Sequence, residues 1–237
     1  MKGTIYLIPN TLGPTSGHKV LPFEVQQMLD RLTYFIVENE RTARAFIKTI
    51  QPDKNQQELR FEIIDKQTDP LDLPLFLKPV EQGEDVGIIS EAGVPCVADP
   101  GSEIVSIAHR KGLRVVPMVG PSSILLALMA SGFNGQQFTF HGYLPIAAKE
   151  RNQAIKKLER SALQHQQTQL FIETPYRNIS LLEALIQQLQ PSTLLTLACD
   201  LSLPSEWIKT YPVQHWKKLK LDSFHKRPAV FLIHGAN

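Results

Sequence analysis

The chain has little cysteine: Cys96 and Cys199 are the two thiols in 237 residues. They make neither a disulfide framework nor a metal-binding spacing, and no metal is expected. No apolar run reaches the roughly 18 residues of a membrane span. The start, Met1-Lys2-Gly3-Thr4, runs directly into strand-like Ile5-Tyr6-Leu7-Ile8, which is not the pattern of a secretory signal. A cytoplasmic protein with no membrane contact is the expectation. Nucleotide fingerprints are missing too. GxGxxG does not occur, and Gly13-Pro14-Thr15-Ser16-Gly17-His18-Lys19 misses the P-loop spacing. These absences count against a Rossmann-type dehydrogenase, a Rossmann-type methyltransferase and an NTPase.

What the chain does have is a strand-loop-helix unit written twice between Gly87 and Leu128. Gly87-Ile88-Ile89-Ser90 is a short apolar run bounded by turn signals, as a buried parallel strand would be. Gly93, Pro95, Pro100 and Gly101 crowd the loop after it. Ser102 to Lys111 places Ile104, Val105 and Ala108 on one helical face, with Gly112 as a stop. Leu113–Pro117 is a second strand. Gly120-Pro121-Ser122-Ser123 follows, with serines suited to cap a helix from Ile124. We read these as two adjacent parallel strands with loops at their carboxyl ends, where open α/β sheets bind ligands.

Further strands are expected at Thr4–Ile8, Tyr34–Val37, an edge-like Phe61–Ile64, Phe138–Gly142, Gln169–Ile172, Leu194–Cys199 and Pro228–Ile233. Helices are expected at Phe23–Leu32, from Arg41 and Thr42 to Ile50, at Lys149–Leu163 and through Leu181–Leu189. The fold class is therefore α/β, with a parallel-sheet domain over residues 1–142 and a mixed-sheet domain over 143–237. Charge divides in the same way. Residues 1–142 carry 13 Lys/Arg and 16 Asp/Glu, and residues 143–237 carry 12 and 7. The basic second half permits nucleic-acid contact. Lys217, Lys218, Lys220, Lys226 and Arg227 cluster with Trp216 and Phe224 interleaved, either as an RNA-touching patch or as a solvated hairpin.

Three stretches carry a resemblance: Ser90 to Gly101 (SEAGVPCVADPG), Val115 to Ser123 (VVPMVGPSS) and Gly142 to Pro145 (GYLP). In this order they resemble the tetrapyrrole-methylase-like S-adenosylmethionine methyltransferases. The nearest branch is the one that 2′-O-methylates a cytidine ribose in small-subunit ribosomal RNA. The resemblance implies a two-domain fold with S-adenosylmethionine in the cleft between the domains, an RNA acceptor in the small ribosomal subunit, and a homodimer. It also implies the cofactor contacts: Ile8 and Pro9 after the first strand, Gly93, Val94 and Val97 in the central loop, Ser122 and Ser123, then Ile172 and Glu173, Leu201, and Pro228 and Ala229.

A ribose hydroxyl is a poor nucleophile, so a base beside it would help. Glu38, within VENER where the branch has AEDTR, and Glu91 are the catalytic candidates by position. Glu38 reads equally as a carboxylate favoured by a helix N-terminus. Asp99, in Asp-Pro-Gly, reads as a turn or helix cap, and Cys199 as a buried structural thiol. No counterpart of the branch's HDHNE-like stretch occurs between Gln51 and Lys78, and Pro175-Tyr176 stand where it has Thr-His. Two other readings stay open: a methyltransferase of a tetrapyrrole-like small molecule, and an S-adenosylmethionine-binding protein without transferase activity. Against the first, such enzymes carry a GDP-type tripeptide where this chain has Gly93-Val94-Pro95.

Overall fold

The structure is a computed structural model that describes residues 1–65 and 67–235. It divides into two compact units, Met1–Ser122 and Ser123–Asn237. In the first unit the elements run β1 (Thr4–Ile8), α1 (Gly17–Val20), α2 (Phe23–Arg31), β2 (Tyr34–Val37), α3 (Glu40–Ile50), β3 (Arg60–Ile63), α4 (Lys78–Glu81), β4 (Val86–Ile89), α5 (Gly101–Arg110) and β5 (Arg114–Pro117). The five strands are parallel in the order β3-β2-β4-β1-β5. The strand that runs into Ser90 (β4) and the strand after Gly112 (β5) are therefore not the adjacent pair expected from the sequence. β1 lies between them, because the first strand of the chain takes the centre of the sheet.

Alternate residues of these strands feed two cores. Tyr34, Ile36, Val86 and Ile88 pack with Leu77, Val80, Ile104 and Ala108 on one face. Phe35, Val37, Ile8 and Ile89 pack with Val25, Leu29, Ala43 and Ile47 on the other. Helix α5 stops where the sequence placed its stop. Gly112 adopts φ +61, its N–H donates to the His109 carbonyl at 3.1 Å, and the Leu113 N–H donates to the Ala108 carbonyl at 3.0 Å. That is a Schellman closure, and it turns the chain directly into β5.

The second unit comprises α6 (Ser123–Ser131), β6 (Phe138–Tyr143), α7 (Ala148–His165), β7 (Thr168–Glu173), α8 (Asn178–Gln188), β8 (Leu194–Cys199), β9 (Trp207–Pro212), α9 (Val213–Trp216) and β10 (Ala229–His234). Its sheet has the order β6-β7-β10-β8-β9; β6 and β7 are parallel and the remaining pairs antiparallel. The compact units thus part at Ser122/Ser123, upstream of the expected 142/143. The strand we expected to lead out of the first domain is β6, an edge strand of the second sheet. It is placed there by its parallel ladder to β7. Phe171, Leu195, Leu197, Phe231 and Ile233 form the core with Ile155, Leu158, Leu181 and Leu185.

The basic segment near the C-terminus is not a hairpin. It holds α9 and a 3₁₀ turn at Leu221–Phe224. Trp216 is fully buried and donates from Nε1 to the Leu195 carbonyl at 3.0 Å, and Phe224 is buried against it. These two rings are core, so the lysines around them carry no exposed aromatic from that pair.

Candidate functional site

The loops after β1, β4 and β5 meet at the carboxyl end of the first sheet. Asn10, which follows Pro9, makes the first link. Its Nδ2 donates to the carbonyls of Ser90 at 3.0 Å and Glu91 at 3.2 Å, and its own N–H donates to the Gly93 carbonyl at 2.9 Å. Gly93 is buried at φ +71, and a Cβ there would stand 3.0 Å from Leu12 Cδ2 and 3.1 Å from the Pro121 carbonyl oxygen. Three loops close on one glycine, whose missing side chain lets the main chain of the loop after β5 approach it closely. Ile8 is core and Pro9 is buried beneath the loop, while Val94 is half-buried and Val97 is 47% exposed. Pro9 thus lies on the loop after β1 and Gly93, Val94 and Val97 on the loop after β4, Ser122 is the last residue of the first unit, and Ser123 opens α6 in the second.

The same loop is bent back on itself. Cys96 and Ala98 both adopt left-handed backbone, at φ 68 and φ 67, a conformation that costs a non-glycine residue about 1 kcal/mol or more. Asp99 holds the bend: its carboxylate accepts from the N–H of Cys96 at 2.7 Å and of Gly101 at 2.8 Å. The turn-and-cap reading of Asp99 is what the geometry shows. Burial nevertheless lifts the Asp99 carboxyl above its ordinary value, against the backbone N–H donors that oppose the rise. Burial also pushes the Cys96 thiol up to about 12, so it is no nucleophile.

Glu38 and Glu91 are brought together. The Glu91 N–H points to Glu38 Oε1 at 3.4 Å, and Thr42 Oγ1 donates to Glu91 Oε1 at 2.5 Å. Asn39 caps α3 by accepting from the N–H groups of Arg41 and Thr42. With Asn39 as the cap, Glu38 is not needed for that role. Burial is the main cause that raises the Glu38 carboxyl above its ordinary value; the Glu91 N–H opposes the rise, and the carboxylates of Asp99 and Glu91 add to it. A small cavity of about 10 Å³, room for about one water, is lined by both Glu38 and Asp99. On the outer side a groove of about 820 Å³ runs between the loop after β1 and α3, with Thr11, Thr15, Thr42, Thr49 and Glu91 in its wall. Glu38 is a half-buried carboxylate of raised pKa, and its neighbour Glu91 lines the open groove; such a carboxylate is a candidate proton acceptor.

In the second unit, Ala229 pairs with Glu173 on one side and with Cys199 on the other. The Asp200 N–H donates to the Pro228 carbonyl at 3.0 Å. Ile172, Glu173, Leu201, Pro228 and Ala229 therefore gather at one end of the second sheet. Glu173 is buried, and its Oε1 accepts from the Thr174 N–H at 2.6 Å and from Arg177 Nη2 at 2.7 Å, so this carboxylate shapes the turn after β7. Arg227 Nε donates to Asp200 Oδ2 at 2.7 Å in the same way. Cys199 is fully buried and its thiol is pushed up to about 12 by burial, as a structural thiol should be.

Sequence reasoning passed over Asn10 and Thr42. Asn10 sits in a Pro-Asn-Thr turn, where asparagine is common for local reasons, and its long-range bonds to residues 90, 91 and 93 are not a spacing that can be read. Thr42 reads as an ordinary helical residue, and the contact with Glu91 arises only when β2 and β4 lie side by side.

Comparison with known proteins follows the same outline. The family described as Tetrapyrrole (Corrin/Porphyrin) Methylases matches residues 19–215. "Ribosomal RNA small subunit methyltransferase I" of Escherichia coli O157:H7 is 27% identical over 212 residues, covering 90% of this chain and 70% of that protein. The protein of the same name in Pseudomonas aeruginosa is 33% identical over 138 residues, 58% of this chain, and the match spans about half (48%) of its own length. Among solved structures, a diphthine synthase superposes with a TM-score of 0.67 at 14% identity, over 98% of this chain and 89% of that one. At that identity the superposition speaks for the fold alone.

Proposed function

Because the chain belongs to the tetrapyrrole (corrin/porphyrin) methylase family, whose members take their methyl group from S-adenosylmethionine, we propose that it methylates small-subunit ribosomal RNA at the 2′-hydroxyl of a cytidine ribose. The observation that carries this reading is the closure of loops at Gly93. The SEAGVPCVADPG loop closes on Gly93 against the loops after β1 and β5, and two carboxylates stand beside it. Among the described residues no helix is long and apolar enough to cross a membrane, and a cytoplasmic setting with ribosomal subunits fits the proposal. A homodimer is part of the proposal as well.

S-adenosylmethionine, when bound, supplies a methyl group already activated on a sulfonium. The chain has three tasks. The Pro9 turn, the loop Gly93–Val97 and Ser122–Ser123 bind with backbone groups and hydroxyls, and Ile172, Glu173, Leu201, Pro228 and Ala229 are carried over as further contacts from the resemblance. Holding donor and acceptor in line is worth about 7–11 kcal/mol of the barrier. Glu38 would take the proton of the acceptor hydroxyl, and Glu91, held by Thr42, would orient the acceptor.

The test is transfer of tritiated methyl from S-adenosylmethionine to small ribosomal subunits and to naked small-subunit rRNA. Label in either RNA is expected. Calorimetric binding of S-adenosylmethionine with no label in any RNA would leave a binding protein without this activity.

A further inference from the structure

Two tyrosines stand in solvent at one end of the second sheet. Tyr143, the last residue of β6, is 55% exposed and pairs in register with Ile172; Tyr176, in the turn after β7, is 75% exposed. The turn that carries Tyr176 is firmly tied. Glu173 accepts from the Thr174 N–H and from Arg177, the Arg177 N–H donates to the Thr174 carbonyl at 2.9 Å, and the Lys226 N–H donates to the Pro175 carbonyl at 3.1 Å. Lys226 holds left-handed backbone at φ 59 to make that contact. Its ammonium lies 5.8 Å from the centre of the Tyr176 ring. The Arg177 side chain, which leaves the same turn, is 39% exposed.

The Tyr176 ring is thus held outward by an ordered turn. The order means that little freedom is lost when something stacks on the ring. The ring with an ammonium beside it matches a ligand with a flat π-face and a neighbouring negative charge, which describes an unpaired nucleotide.

We propose that Tyr143, Tyr176, Arg177 and Lys226 form a stacking platform for an unpaired RNA nucleotide. The base lies on the Tyr176 ring, Lys226 meets the adjoining phosphate, and Tyr143 with the Arg177 guanidinium offers the second flat surface. This rests on the RNA reading of the acceptor.

The test is fluorescence anisotropy of a labelled single-stranded RNA of mixed cytidine and adenosine at several salt concentrations. It uses wild type, Y176A, Y176F, Y143A and K226A. Y176A is expected to weaken binding about tenfold, about 1.4 kcal/mol, within the range of one stacked base. Y143A weakens it in the same direction, Y176F keeps wild-type affinity because the ring remains, and K226A lowers the slope of log affinity against log salt by about 0.7. Calorimetric affinity for S-adenosylmethionine is unchanged throughout. The platform is overturned by a wild type that binds no RNA or by a Y176A that binds like wild type. It is also overturned by a Y176A that loses cofactor affinity, which would make the ring part of the cofactor site. A Y176A with altered sedimentation would overturn it too, by making the ring a contact between copies. Methyl transfer to small subunits is measured on the same proteins. Tyr176-dependent RNA binding without transfer by wild type sinks the substrate reading alone, whereas transfer with a Y176A of wild-type RNA affinity sinks the platform alone.

Discussion

Replacing Gly93 by alanine tests whether the closure of three loops matters for the cofactor. The substitution has two costs. Left-handed backbone at φ +71 costs a non-glycine residue about 1–2 kcal/mol. The new Cβ would also stand 3.1 Å from the Pro121 carbonyl oxygen and 3.0 Å from Leu12. Leu12 can rotate, but Pro121 is main chain, so the loop after β5 must shift by a few tenths of an ångström. Gly112 is the matched control: its φ is +61 and nothing lies within 4 Å of its Cβ position. G112A therefore bears the conformational cost alone, at the opposite end of the sheet. Both variants should lower the melting temperature of the first unit by about 4–8 °C. Isothermal titration calorimetry should show S-adenosylmethionine affinity lost at least about tenfold (~1.4 kcal/mol) in G93A and unchanged in G112A. Equal affinities in the two variants would refute the assignment of the cofactor to this loop.

Three further outcomes are expected. Glu38 has a raised carboxyl, so the stability it contributes is present in full below the unfolded value of about 4.3 and is lost as pH rises through the raised folded value. E38Q should remove that decline in urea denaturation across this window, lower methyl transfer by about 10²-fold or more and abolish the rise of rate with pH; an unchanged rate profile rules Glu38 out as the base. N10A removes the buried amide that ties residues 90 and 91 to the loop after β1. It should cost about 1–3 kcal/mol in chemical denaturation, and a loss under about 0.5 kcal/mol would mean that the latch is not made. W216A should cost about 3–5 kcal/mol, because the ring is fully buried and bonded to Leu195; weakened RNA binding by a folded W216A would restore that aromatic to a binding face.

Much of the fold could be read from local pattern. Gly112 announced the end of α5 because only a residue without Cβ is comfortable at that Schellman position, and the apolar runs at 34–37 and 86–89 are strands buried on both faces. Strand order could not be read in this way. β1 enters between β4 and β5 through pairings far apart in sequence, and no periodicity encodes them. The extent of the second sheet was missed for a related reason: Phe138–Tyr143 looks the same whether it closes one sheet or opens another, and only its ladder to β7 decides. At the site, the glycine and proline spacing marked the central loop, and the two carboxylates could be named by their strand ends. Their coupling through the Glu91 N–H and Thr42, and the burial that raises Glu38, exist only after β2 and β4 are paired. The lysine-rich C-terminal stretch misled because basic residues beside Trp216 and Phe224 look alike whether the rings face solvent or core.

The central claim is that a ribose oxygen of small-subunit RNA receives the methyl group. The most direct measurement is to treat unmethylated small subunits with the protein and S-adenosylmethionine, digest the RNA to nucleosides and identify the product by mass spectrometry. The account predicts a cytidine heavier by one methyl that remains on the sugar when the glycosidic bond is broken. A methyl group that leaves with the base, or RNA that gains none while the protein methylates a tetrapyrrole ring, would contradict it.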